Sequence, residues 1–303
     1  MDQATGLRNV VKMQHSGQTP QARVLTITSG KGGVGKSNMA VNLAVQLSRL
    51  GKKVIIFDAD IGLANVEVMF GSIPKYNLSD VLNKGMAMRD IISNGPMDIG
   101  FISGGSGIVE LNNLTKEQIM SIVSKLSELD SMADVILIDT GAGISDSVME
   151  FVIASPEVLL ITTPDPSSLT DSYSLIKTLY RNRQFNYEDV MINVIANRVN
   201  SAADGQAVYD KLSSVVSKFL NWNVNYLGLV PQDPVIEKAV RQQQVVSIYD
   251  PESASSQAFA KNAESGEYDV ALGGMTLTLP TDTNVDGLAG GGTNIYLQCV
   301  SFY

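Results

Sequence analysis

Gly30-Lys31-Gly32-Gly33-Val34-Gly35-Lys36-Ser37 decides the reading of this chain. These eight residues fit the phosphate-loop pattern G-x-x-x-x-G-K-[ST]. Glycines let successive backbone N–H groups converge at the positive end of the following helix, which makes a concave anion site. An apolar, β-branched run, Val24-Leu25-Thr26-Ile27-Thr28, precedes the loop, and a helical stretch from Ser37 to Leu50 follows it. In that strand–loop–helix setting a mere glycine-rich turn with an exposed lysine is the poorer explanation. Lys36 is expected to bridge the β- and γ-phosphates of a nucleotide, and the Ser37 hydroxyl to ligate Mg²⁺.

Outward from the loop, the strand pattern recurs. Lys53 to Phe57, Ile99 to Ile102, Val135 to Ile138, Val158 to Thr162, Val190 to Ala196 and Tyr226 to Val230 are all short and apolar. Helix-length segments separate most of them: Lys116 to Met132, Leu169 to Arg183 and Ala202 to Leu220. Leu175, Ile176 and Leu179 share one helical face, as do Ile119, Ile122, Val123 and Leu126. Hydrophobicity that is continuous along a strand, rather than alternating, means burial on both sheet faces. The expected fold class is therefore α/β, a predominantly parallel sheet with helices on both faces and ligands at the carboxyl ends of the strands.

Composition narrows the chemistry. The 303 residues are 44% hydrophobic and 17% charged, with no apolar run long enough to span a bilayer. The opening Met1-Asp2-Gln3-Ala4 is acidic and polar, unlike a secretory signal, so the chain reads as cytoplasmic. One cysteine (Cys299) and one histidine (His15) leave no material for a disulfide framework, a cysteine-rich zinc site or a Ser-His-Asp triad. A net charge of −9 argues against nucleic acid as a partner, since such binding needs a basic face. Three regions follow: a flexible polar leader over 1–20, a nucleotide-binding domain over 21–265, and a Gly- and Thr-rich acidic tail over 266–303, read as disordered or loosely packed. Met86, Met88 and Met97 are read as gap fillers and Trp222 as a packing residue.

Lys31 adds a second lysine to the loop. Lys-Gly-Gly-Val-Gly-Lys-Ser is the deviant Walker A form, and here the sequence resembles the ParA/MinD family of dimeric ATPases, P-loop NTPases of the SIMIBI/MinD type. The resemblance spans roughly residues 20 to 260 and implies that Lys31 reaches across a dimer to the partner's nucleotide. Asp58-Ala59-Asp60-Ile61-Gly62-Leu63-Ala64-Asn65 looks like that family's switch I. By resemblance Asp60 orients or activates the attacking water, and Asp58 lies near the magnesium shell. Asp139-Thr140-Gly141-Ala142-Gly143 resembles Walker B running into switch II, where Asp139 would hold a magnesium-bound water. Asn197-Arg198 and Pro231-Gln232-Asp233 match base-recognition elements, with Asn197 hydrogen-bonding adenine and Pro231 and Asp233 closing the pocket. The implied activity is ATP hydrolysis to ADP and phosphate, with ATP and Mg²⁺ bound. The catalytic residues are Lys31, Lys36 and Asp60, and Gly30, Gly32, Gly33, Val34 and Gly35 complete the phosphate cradle.

Within the family, missing cysteines exclude iron-carrying members and the acidic balance disfavours partition ATPases. Asp2-Gln3-Ala4-Thr5-Gly6-Leu7-Arg8 matches the D-Q-A-x-x-L-R element of the flagellar number regulators, the FlhG/FleN/YlxH-like branch. The resemblance implies a MinD-like ATPase that alternates between ADP monomer and ATP sandwich dimer to control flagellar placement and number. Its leader, through Gln3, Leu7 and Arg8, would stimulate a signal-recognition-type GTPase, and flagellar motor switch proteins are further implied partners. Two alternatives stand: a general MinD/ParA-like positioning ATPase, or a nucleotide-dependent scaffold with negligible turnover. MinD-like proteins end in an amphipathic helix whose basic face meets anionic lipid, which implies a peripheral place at the inner face of the cell membrane. This chain departs from that ending: the helical piece Ala254 to Ala263 is short, and Lys261 is its last basic residue.

Overall fold

The computed structural model describes residues 22–61, 63, 65–105, 114–186 and 190–271, the last five by backbone alone. Eight strands form one sheet: β1 (Arg23–Thr28), β2 (Val54–Ala59), β3 (Ser93–Asn94), β4 (Gly100–Ile102), β5 (Val135–Thr140), β6 (Glu157–Thr162), β7 (Met191–Val199) and β8 (Asn225–Pro231). Their spatial order is β3-β4-β2-β5-β1-β6-β7-β8. Every pairing is parallel except that of β3 with β4. From the central β1 the chain crosses over β5 to reach β2, and later returns on the other side as β6. That reversal opens a crevice at the carboxyl end of β1, where the phosphate loop lies.

The α-helices are α1 (Lys36–Arg49), α2 (Asn65–Phe70), α3 (Leu78–Lys84), α4 (Lys116–Lys125), α5 (Asp146–Ala154), α6 (Pro166–Arg181), α7 (Ala202–Leu220), α8 (Pro234–Arg241), α9 (Val246–Tyr249) and α10 (Ala254–Ala271). Successive strand residues point to opposite faces, and the central strands feed two cores accordingly. Leu25, Ile27, Val54, Ile56, Val135, Leu137, Leu159 and Ile161 pack with α1 and α10. On the other face, Ile55, Phe57, Ile136 and Ile138 meet α4 and Phe151 of α5, while Val158 and Leu160 meet α6 and α7. Each such side chain contributes about 1.5–3 kcal/mol by leaving water. Arg23 ties β1 to β6 through two hydrogen bonds to Glu157, of 2.8 and 2.6 Å. Trp222 packs edge-to-face with Phe185 and at a tilt against Tyr180, a packing role. Met88 is buried, whereas Met97 is 43% exposed and fills no gap.

Two helices differ from their sequence reading. The segment expected to run as helix from Lys116 to Met132 is α-helical only to Lys125 and then tightens to a 3₁₀ turn over Leu126–Leu129. The hydroxyls of Ser124 and Ser127 donate to carbonyls three residues back, which competes with the regular ladder. Conversely, α10 runs past Ala263 to Ala271, beyond the helical piece read from the sequence. No proline interrupts it, and one interior glycine costs only about 1 kcal/mol. Residues 1–20 and 272–303, and with them Gln3, Leu7, Arg8 and Cys299, lie outside the described residues.

Candidate active site

The phosphate loop turns from β1 into α1. Gly35 caps α1 with φ of +99° and no side-chain hydrogen bond, so the first-turn N–H groups of the helix are left for an anion. A Cβ at Gly35 would also lie 2.5 Å from the Asn197 amide nitrogen. Gly30 is pinned from outside: a Cβ there would sit 2.1 Å from the Asp171 carbonyl carbon in α6.

Lys36 is buried at the loop's end. Burial lowers its pKa, and the nearby carboxylates of Asp139 and Asp60 oppose that shift. Asp139 and Asp58 are register partners at the ends of β5 and β2, and both are fully buried. Burial pushes Asp139 up to about 7, with the Ser37 hydroxyl and Lys36 pulling the other way. Neither Asp139 oxygen has a hydrogen-bond partner among the described residues. An unsatisfied buried carboxylate beside a serine hydroxyl is a donor set suited to a hard divalent cation such as Mg²⁺. Burial and the Asp139 charge likewise raise the Asp58 pKa well above the ordinary carboxylate range. Asp58, however, spends its oxygens on backbone: Oδ1 accepts from Asp60 N–H at 3.2 Å and Oδ2 from Val66 N–H at 3.1 Å. Its geometry is that of a brace for the loop after β2.

Asp60 is half-buried, and its Oδ2 accepts from Asn65 Nδ2 at 3.0 Å. Gly62 and Ala64 of this stretch lie outside the described residues. Lys31 is engaged within its own chain: its Nζ donates to Ser167 Oγ at 2.7 Å and to Asp165 Oδ2 at 3.3 Å, at the start of α6. The deviant lysine thus lies on the open rim of the loop, apart from Lys36.

On the other side of the loop a cavity of about 150 Å³ brings together Gly35, Asn197, Arg198, Pro231 and Asp233. A bulge shapes it. The β7–β8 register shifts between Asn197 and Val199, and Arg198 takes φ of +58°. Asn197 Nδ2 donates to Val34 O at 2.7 Å, and its Oδ1 accepts from Arg198 N–H at 2.9 Å. The amide keeps one hydrogen and one lone pair, enough to meet a base edge. Asp233 faces inward: its oxygens accept from Val235 N–H (2.9 Å), Ser255 N–H (3.1 Å) and Ser255 Oγ (2.8 Å). Phe259 of α10, together with Asn38 and Glu237, completes the lining. No local pattern in the sequence could have exposed Phe259, because its place depends on α10 folding back over β8. Asn65 at least stood within the Asp58–Asn65 stretch.

The family model described as "ParA: NUBPL iron-transfer P-loop NTPase" matches residues 21–265. The chain is 38% identical over 252 residues to "Antiactivator FleN" of Pseudomonas aeruginosa, covering 83% of this chain and 89% of that protein. It is 35% identical over 246 residues to "Flagellum site-determining protein YlxH" of Helicobacter pylori, covering 78% and 79%. Among solved structures, the septum site-determining protein MinD of Pyrococcus horikoshii complexed with Mg-ADP superposes with a TM-score of 0.68 at 28% identity, covering 83% of this chain and 98% of that one. With its phosphate loop, eight-stranded sheet and matched relatives, the chain belongs to the ParA/MinD family of P-loop ATPases.

Proposed function

We propose that this chain is a flagellar regulator of the MinD type, an ATPase that pairs face to face with ATP and separates with ADP. Similarity to FleN and YlxH supports the flagellar setting. The observation that carries the enzymatic reading is the buried Lys36 of the phosphate loop, close enough to the unpartnered, buried Asp139 for their charges to interact. In this reading Lys36 and the loop N–H groups hold the β- and γ-phosphates. Ser37 and Asp139, largely through water, would hold Mg²⁺, which would supply charge neutralisation on the transferring phosphate. Asp60 orients the attacking water, Asp58 braces the loop that carries it, and Asn197 reads the base. Lys31 leaves Ser167 and Asp165 to meet the partner's nucleotide. The leader Asp2–Arg8 stimulates a signal-recognition-type GTPase, a reading supported by sequence alone.

Calorimetry, light scattering and steady-state phosphate release test this. Lys36→Gln removes the fixed cation and should abolish MgATP binding. Asp60→Ala should keep ATP affinity, lose hydrolysis and accumulate dimer. Unchanged ATP affinity in Lys36→Gln, or only monomer in Asp60→Ala with ATP, would overturn the enzymatic or the dimer reading respectively. Deleting Met1–Arg8 should spare ATP binding and abolish stimulation of the partner GTPase. Full stimulation by the truncated protein would return the reading to a general positioning ATPase.

A further inference from the structure

We infer that Asn65 is a positioning residue for the Asp60 carboxylate. The inference rests on the proposed role of Asp60 in orienting the attacking water. A carboxylate rotates freely about its last torsion unless something holds it. Lys36 is near enough for its charge and that of Asp60 to attract each other, and an Asp60 that turned towards Lys36 would spend its charge on an ion pair rather than on water.

Asn65 opposes this. Its Nδ2 donates to Asp60 Oδ2 at 3.0 Å, a neutral donor that fixes orientation without cancelling charge. Asp58 restrains the backbone on either side of the pair, with the Asp60 N–H on one oxygen and the Val66 N–H on the other. The remaining Asp60 oxygen is set against the second switch. A Cβ at Gly141 would lie 3.1 Å from Oδ1, a tight contact that would press that oxygen aside by a few tenths of an ångström. Asp60 and Gly141 both border an open cavity of about 500 Å³ that Ser145 and Asp146 also line. One oxygen is thus tied to Asn65, and the other is presented between the two switch loops.

Three variants, with steady-state hydrolysis and calorimetry, test this. Asn65→Ala removes the donor. Asn65→Asp keeps the size and a residue type favoured at a helix start, but sets a second negative charge against Asp60. Both should lower kcat about tenfold to a hundredfold, the scale of a misplaced catalytic group. ATP affinity and KM should stay within about twofold. Asn65→Asp should be at least as impaired as Asn65→Ala. A merely structural role at the start of α2 gives the reverse order, with Asn65→Asp close to wild type. Wild-type turnover in Asn65→Ala, or faster turnover in Asn65→Asp than in Asn65→Ala, would overturn the inference. Asp60→Ala run in parallel separates the failures: if it hydrolyses ATP normally, the role of Asp60 falls and the inference with it. If Asp60→Ala is inactive while Asn65→Ala is normal, only the inference falls.

Discussion

Asp233 joins two helices that are far apart in sequence. It caps α8 through Val235 and holds the start of α10 through the N–H and hydroxyl of Ser255. Burial works to raise its pKa, but these hydrogen bonds outweigh it, so the folded-state value lies below the ordinary 3.8. The unfolded chain then binds more protons between the two values. The stabilisation is complete only well above the unfolded value, from about pH 5, and is lost as pH falls through the folded value. Asp233→Ala should cost about 2 kcal/mol at pH 7, from a lost cap and stranded donors. In urea unfolding the gap to wild type should narrow at pH 3; a gap of constant size would refute the charged tether. Pro231-Gln232-Asp233 drew notice only through its resemblance to a base-recognition element of the family. The tether to Ser255 was not legible, because nothing in the spacing of residues 233 and 255 announces a contact. The hydrogen bonds that Asp58 accepts from the Asp60 and Val66 N–H groups were hidden for a similar reason: an Asp-x-Asp pair names the acids, and only the backbone path shows where the oxygens go.

At the scale of elements, the start of α6 holds Lys31. The contact to Asp165 is exposed, with side chains 38% and 64% accessible, and such pairs contribute about 0–1 kcal/mol. A lysine destined for a second subunit would therefore leave at small cost. Asp165→Asn should raise the dimer fraction at limiting ATP by no more than about fivefold, measurable by sedimentation velocity. Weaker dimerisation in that variant would mean that Asp165 serves the dimer instead of restraining the monomer. The central strands were readable to within two or three residues because burial on both faces leaves unbroken apolar runs. Val135-Ile136-Leu137-Ile138 is the plainest case, buried throughout as the core of β5. Helix α5 escaped notice: its nine residues follow the Gly141–Ser145 turn directly, and its apolar run leads into that of β6. The two-residue β3 carries no periodicity at all.

For the whole molecule, the two cores differ in what they support. Phe259 belongs to the core under α1 and also walls the cavity beside Asn197, whereas Phe151 lies in the core on the opposite face. Truncating either to alanine should cost about 3–5 kcal/mol in urea unfolding. Phe259→Ala alone should also weaken MgATP binding. Equal ATP affinity in the two variants would detach α10 from the nucleotide pocket. The placement of Phe259 has a further consequence during synthesis. The phosphate loop is complete at Ser37, but the cavity receives its last wall 222 residues later. At about 5–20 residues per second, roughly 10–40 s separate the two on the ribosome. Throughout that interval a nascent chain carries the residues of the loop without the wall that Phe259 supplies. If that cavity holds the base, stabilisation by ATP through mass action comes late, and resistance of ribosome-bound chains to protease in MgATP should appear only once α10 has emerged.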